Sequence, residues 1–66
     1  MPFVNIKTMK GALTEEQKSE LHEKITNVLV EIEGKGNKIF RRFVTVCIEE
    51  LDPQNWSMGG SQGTEV

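Results

Sequence analysis

The sequence predicts an α+β fold in which residues 1–66 form one small domain with the order β-α-β, and three observations carry that expectation. Apolar residues alternate with period two from Phe3 to Met9 and again in the run that ends at Leu51, which is how half-buried strands read. Between the two runs Leu21, Ile25, Val28, Leu29 and Ile32 recur at helical spacing and make one apolar stripe. A helix that joins two parallel strands crosses over right-handedly in nearly all known cases.

The first strand places Val4, Ile6 and Thr8 on one face and Phe3, Asn5, Lys7 and Met9 on the other. Neither face is wholly polar. If Val4 and Ile6 meet the helix, Phe3 and Met9 need cover from elsewhere, and another subunit is a source of it. Pro2 heads this strand directly behind Met1 and has two readings. In one it merely opens an edge strand, where its missing N–H costs nothing. In the other, Met1 is trimmed, as initiator methionine usually is before a small residue, and Pro2 becomes a terminal secondary amine. Such an amine is a base and a nucleophile. An α-amino group titrates at about 7.7–8.0, and nearby cations or an apolar pocket lower that value toward the pH where a general base works best.

Lys10-Gly11-Ala12-Leu13 is a short connection, and Thr14-Glu15-Glu16-Gln17 has the form of a capping box, with the Thr14 side chain on the Gln17 amide and the Gln17 side chain reaching back. The helix is expected to begin near Glu15, with Glu15 and Glu16 in a first turn whose dipole favours negative charge. Gly34 is placed to stop it. His22, beside Leu21, lies outside the main stripe and reads as a solvated or boundary residue. Gly34-Lys35-Gly36-Asn37-Lys38 has the glycines of a phosphate loop, but it follows a helix and lacks the Lys-Ser/Thr ending, so it reads as a turn.

The second strand is expected from Phe40 or Arg41 to Leu51, with Val44, Val46 and Ile48 on one face and Phe43, Thr45, Cys47 and Glu49 on the other. Beyond Asp52-Pro53 the composition turns polar and glycine-rich around Trp56, as in a loop or a short hairpin. A tryptophan there either folds back on its own sheet or serves as a pocket wall or interface anchor.

Composition bounds the chemistry. One cysteine, Cys47, excludes an internal disulfide, and one histidine with one cysteine cannot build a zinc site. Eight basic residues scattered among ten acidic ones, for a net charge of −2, do not make a nucleic-acid surface. No apolar run reaches the roughly 20 residues of a membrane span, and no leader is evident, so the expected compartment is the cytoplasm. A domain of about 60 residues buries only about 60% of its unfolded surface. Without a disulfide or a metal, oligomerisation is the remaining source of stability.

Taken together, Pro2, the β-α-β order, Thr14-Glu15-Glu16-Gln17-Lys18 and Trp56-Ser57-Met58-Gly59-Gly60 resemble the 4-oxalocrotonate tautomerase family, closest to short variants that open Pro-Phe-Val-Asn-Ile-Lys. The resemblance covers nearly the whole chain. It implies parallel strands, a short C-terminal hairpin, and a homo-oligomer, a hexamer built as a trimer of dimers. It also implies an isomerase that moves a proton between carbons of an enol or a conjugated 2-keto (2-hydroxy-dienoate) acid, with Pro2 as the general base and no metal or organic cofactor. Trp56 matches the family's pocket aromatic. The family's two substrate-binding arginines fall here on Ala12 and Thr45, so Arg41 or Arg42 is expected to supply the charge that a carboxylate or a developing dienolate needs. The alternative is a non-catalytic scaffold or binding module of the same fold.

Overall fold

In a computed structural model of the chain, residues 2–63 are described. Strand β1 (Phe3–Met9) leads through a tight loop to helix α1 (Glu15–Ile32), and strand β2 (Thr45–Leu51) then lies parallel to β1. The register pairs Phe3 with Thr45 and Met9 with Leu51. A two-residue hairpin, β3 (Ser57–Met58) with antiparallel β4 (Ser61–Gln62), closes the fold. Its connection, Gly59-Gly60, has φ of 60° and 89°, and only glycine takes two successive left-handed positions this cheaply, which is what a type I′ turn demands.

The helix begins as its capping sequence requires. The Gln17 N–H donates to Thr14 Oγ1 at 3.1 Å, and the Thr14 N–H donates to Gln17 Oε1 at 2.9 Å. Its C-terminus works differently from the expectation. The left-handed step falls on Lys35 and Gly36, with φ of 53° and 80°, and the Gly36 N–H reaches the Val30 carbonyl at 2.9 Å. Gly34 has another task, because a Cβ there would sit 2.7 Å from the Phe40 ring. Its lack of a side chain lets Phe40 close over the end of the helix.

The expected strand from Phe40 or Arg41 is corrected by the structure. Residues Lys38–Phe43 form a 3₁₀ helix, and β2 starts only at Thr45. The reason is local capping joined to tertiary contact: Asn37 Oδ1 accepts the Ile39 N–H at 2.9 Å, and the Asn37 carbonyl accepts the Phe40 N–H at 3.1 Å. These bonds favour a turn over an extended chain.

Helix α1 covers one face of the sheet. Val4 lines a shallow groove with Ile25, Val28 and Leu29, so the Val4/Ile6 face of β1 and the Val46/Ile48 face of β2 meet the helix stripe. An ion pair fastens the start of α1 to β2: Lys18 Nζ lies 2.6 Å from Glu50 Oε1 and 3.1 Å from Glu15 Oε1. The Glu50 hydrogen bond raises the Lys18 ammonium above its ordinary value, and the same bond from Lys18 holds the Glu50 carboxyl below its own.

The opposite face has no cover. Phe3 is 67% exposed, as is much of Phe43, and at the helix end Ile32 is 73% exposed. Among the described residues no apolar side chain is fully buried. The chain exposes 5122 Å², whereas a compact monomer of 7.5 kDa exposes about 4,200 Å². Its radius of gyration is 15.1 Å against about 11 Å for a compact chain of this length. The single chain is an open plate, 45 × 24 × 13 Å, with half of a core. No helix among the described residues is long and apolar enough to cross a membrane.

Candidate active site

Pro2 is half-buried at the head of β1, and its carbonyl accepts the Thr45 N–H at 3.1 Å. That bond fixes the base candidate against the first residue of β2. Met1 and the expectation of its removal lie outside the described residues. The 3₁₀ segment delivers Arg41 and Arg42 immediately ahead of this point. Successive residues of a 3₁₀ helix are turned by about 120°, so the two guanidinium groups leave in different directions. Arg41 Nη1 donates to Asn27 Oδ1 at 2.6 Å, which pins that side chain to α1. Arg42 has no side-chain hydrogen bond or ion pair among the described residues. Exposed His22 sits with Ser19, Glu23, Thr26 and Arg41 along a shallow polar groove, as a boundary residue should.

Trp56 occupies the other end of the sheet. The turn Pro53–Asn55 reverses the chain after β2 and lays the indole over Met9 and Leu51. Lys7, Thr8, Met9, Leu51 and Trp56 line an open-sided cavity of about 380 Å³, at the small end of the range for ligand pockets. The indole is both folded back on its own sheet and a wall of a cavity. The hairpin clamps it there: the Gly63 N–H donates to the Trp56 carbonyl at 2.9 Å, and Gln62 Nε2 donates to the Gln54 carbonyl at 3.2 Å. Gly63 is fully buried, and a Cβ on it would lie 2.5 Å from the Pro53 carbonyl oxygen and 2.9 Å from the indole.

The structure therefore puts Pro2 and the segment that carries Arg41 and Arg42 at one end of the sheet, with Arg41 turned onto α1, and Trp56 at the other end. Phe3 and Met9 are six residues apart on an extended strand, so the two ends of the sheet are separated by about 20 Å. No substrate of a few carbons spans that distance within one chain. Of two further residues at the Trp56 end, sequence reasoning holds Lys7 only in reserve as an anion site, behind Arg41 and Arg42, and passes over Gly63. The signal for Lys7 was its place on the same strand face as Met9, but its freedom from acidic partners depends on strand register. Gly63 carried no signal, since glycine is commonplace in such a tail.

Comparison with known proteins was then informative over nearly the full length. The family model described as tautomerase enzyme matches residues 2–64. A probable tautomerase K2 of Dickeya dadantii is 40% identical over 65 residues, covering 98% of this chain and 91% of the relative. The 2-hydroxymuconate tautomerase of Comamonas testosteroni is 35% identical over 66 residues, covering 100% and 97%. Among solved structures, DmpI from Helicobacter pylori superposes with a TM-score of 0.77 at 33% identity, covering 97% of this chain and 92% of that one.

Proposed function

The chain belongs to the tautomerase family, and from that premise we propose that it is a cofactor-independent isomerase in which Pro2, freed of Met1, is the general base. The nitrogen of Pro2 takes a proton from a carbon next to a carbonyl, and the resulting ammonium returns it elsewhere on the conjugated system. The substrate class is an enol or a 2-hydroxy-dienoate. A dienolate forms between the two transfers, and its oxygen needs positive charge. Arg42 supplies it, with Arg41 held beside it by Asn27. The same cations lower the affinity of the Pro2 amine for a proton, which keeps the base unprotonated near neutral pH.

The observation that carries this reading is the Thr45 N–H to Pro2 carbonyl bond of 3.1 Å, which immobilises Pro2 against the end of the strand that the arginines precede. Trp56 reaches a Pro2 site only from another copy of the chain, where it excludes water from the reacting atoms. A homo-oligomer, a hexamer arranged as a trimer of dimers, would provide such neighbours and cover the bare sheet face. Retention of Pro2 and Trp56 favours this enzyme over a scaffold that has lost its chemistry.

The test is the ketonisation of 2-hydroxy-dienoates and phenylenolpyruvate. Activity should rise with pH through one ionisation, and Pro2→Ala should lower kcat by about 10²–10⁴ with the fold intact. A variant with one residue added ahead of Pro2 turns the amine into an amide and should do at least as much damage. If both variants turn over an enol as fast as the parent, Pro2 only opens a strand and the protein is a scaffold.

A further inference from the structure

The cavity at the Trp56 end holds a cation that the proton-transfer chemistry above leaves unused. Lys7 lies on the face of β1 turned away from α1 and lines the cavity with Thr8, Met9, Leu51 and Trp56. Its cross-strand neighbour is Glu49, the natural ion-pair partner. Glu49 is taken by another residue: Asn5 Nδ2 donates to Glu49 Oε1 at 2.9 Å, which draws the carboxylate toward the Pro2 end. The other two lysines near this end do not line the cavity. Lys18 is bound by Glu15 and Glu50, and Lys10 follows the end of β1. Among the described residues Lys7 makes no ion pair or side-chain hydrogen bond.

A single ammonium at the edge of a slot walled by an indole, a thioether and a leucine suits one kind of ligand. Its carboxylate pairs with Lys7, and its flat unsaturated or aromatic body lies on Trp56, against Met9 and Leu51. An ammonium is a point charge that accepts one carboxylate without demanding fork geometry. A second carboxylate on the body of the ligand would find only the neutral Thr8 hydroxyl beside an otherwise apolar wall, which does not offset the cost of desolvating a charge.

We infer that Lys7 and Trp56 form the carboxylate-and-body subsite of this protein, and that it selects small monocarboxylic acids with a flat apolar body over dicarboxylates. This rests on the tautomerase reading only for the identity of the turned-over substrate; the binding itself is independent of it. Any such substrate reaches Pro2 of a neighbouring copy while held by Lys7 of this one.

The chain has one tryptophan and no tyrosine, so its intrinsic emission reports on this cavity. Titration of the assembled full-length protein with phenylacetate should change Trp56 emission saturably. Lys7→Met should weaken that binding by about tenfold or more, as loss of a charged hydrogen bond does, while Lys7→Arg should restore most of it. Glu49→Gln, whose carboxylate is already turned to Asn5, should leave it close to the parent's. cis,cis-Muconate should bind no better than phenylacetate. Circular dichroism and sedimentation of each variant establish that it is folded and assembled as the parent is. The subsite is refuted if folded Lys7→Met binds phenylacetate like the parent, or if the dicarboxylate binds tenfold tighter. Failure of the tautomerase reading looks different: phenylacetate binding would depend on Lys7 while no enol was turned over.

Discussion

On the proposed reading, the two ends of the parallel pair carry complementary halves of a site. At the Phe3–Thr45 end stand Pro2 and two arginines, without an aromatic wall. At the Met9–Leu51 end stand Trp56 and an unpaired lysine, without a base. The difference teaches why so short a chain leaves so much apolar surface bare. A plate of 66 residues cannot fold its own two ends together, but copies arranged head to tail can place one end against the other.

The largest expected effect tests that arrangement directly. Pro2→Ala and Trp56→Ala should each be poorly active alone. If a site takes its base from one copy and its wall from another, random reassembly of equal amounts leaves about a quarter of the sites with both residues intact. The mixture should then regain about a quarter of parental activity. Activity no greater than the mean of the two separate variants would mean that base and wall belong to one chain, or that Trp56 lies outside the site.

The second effect separates two residues of the same end. Arg42→Ala should lower kcat/KM by about 2–4 kcal/mol if its guanidinium meets developing charge. Arg41→Ala should instead cost about 1 kcal/mol of stability, through the lost bond to Asn27, and spare most of the activity. Steady-state kinetics and thermal melting of the two variants side by side decide it. The opposite pattern would exchange their roles.

The ends were also unequally legible in the sequence. Thr14 and Gln17 announce the helix start because capping is settled by residues three apart, and the strand alternation of Phe3–Met9 survives intact. Residues 40–43 misled because Phe40 and Phe43 look like strand residues while the decision rests on Asn37 and on the space above Gly34. Pro2 as a terminal-amine base and Trp56 as a pocket wall were each one of two readings in the residues alone, the family resemblance tipped both toward the site reading, and their separation follows only once the strands are known to be parallel and in register. Lys7 depended on that register too, because Glu49 lies beside it and turns to Asn5.

A third effect is confined to the Trp56 end. Gly63→Ala forces a methyl group against the Pro53 carbonyl and the indole, an overpacking that costs about 1–3 kcal/mol. The strain should open the hairpin before it disturbs the β-α-β unit. A red shift of Trp56 emission with unchanged helix content is the expected outcome. A parental emission spectrum would show that the tail absorbs the methyl group and does not hold the indole.

The smallest effect distinguishes how the helix is fastened near each end. Arg41 holds α1 through the neutral amide of Asn27. Lys18 holds it through Glu50, and that clamp does titrate. The folded carboxyl of Glu50 lies below its ordinary 4.5, chiefly because Lys18 hydrogen-bonds to it, so its contribution is present above the unfolded value and is lost as pH falls through the folded one. The Lys18 ammonium lies above its ordinary 10.5, so the clamp also weakens as pH rises through that raised value. Both side chains keep solvent contact, 21% and 29% exposed, so the effect on the melting midpoint is small. Lys18→Met should lower the midpoint slightly at neutral pH, and the gap from the parent should close as the solution is acidified below the usual carboxylate range. Amide exchange should then quicken first at the start of α1 and around Glu50, while Asn27 and the 3₁₀ segment stay protected. A gap that persists undiminished well below that range would mean that Lys18 acts through its aliphatic stem, and the two fastenings would no longer differ in kind.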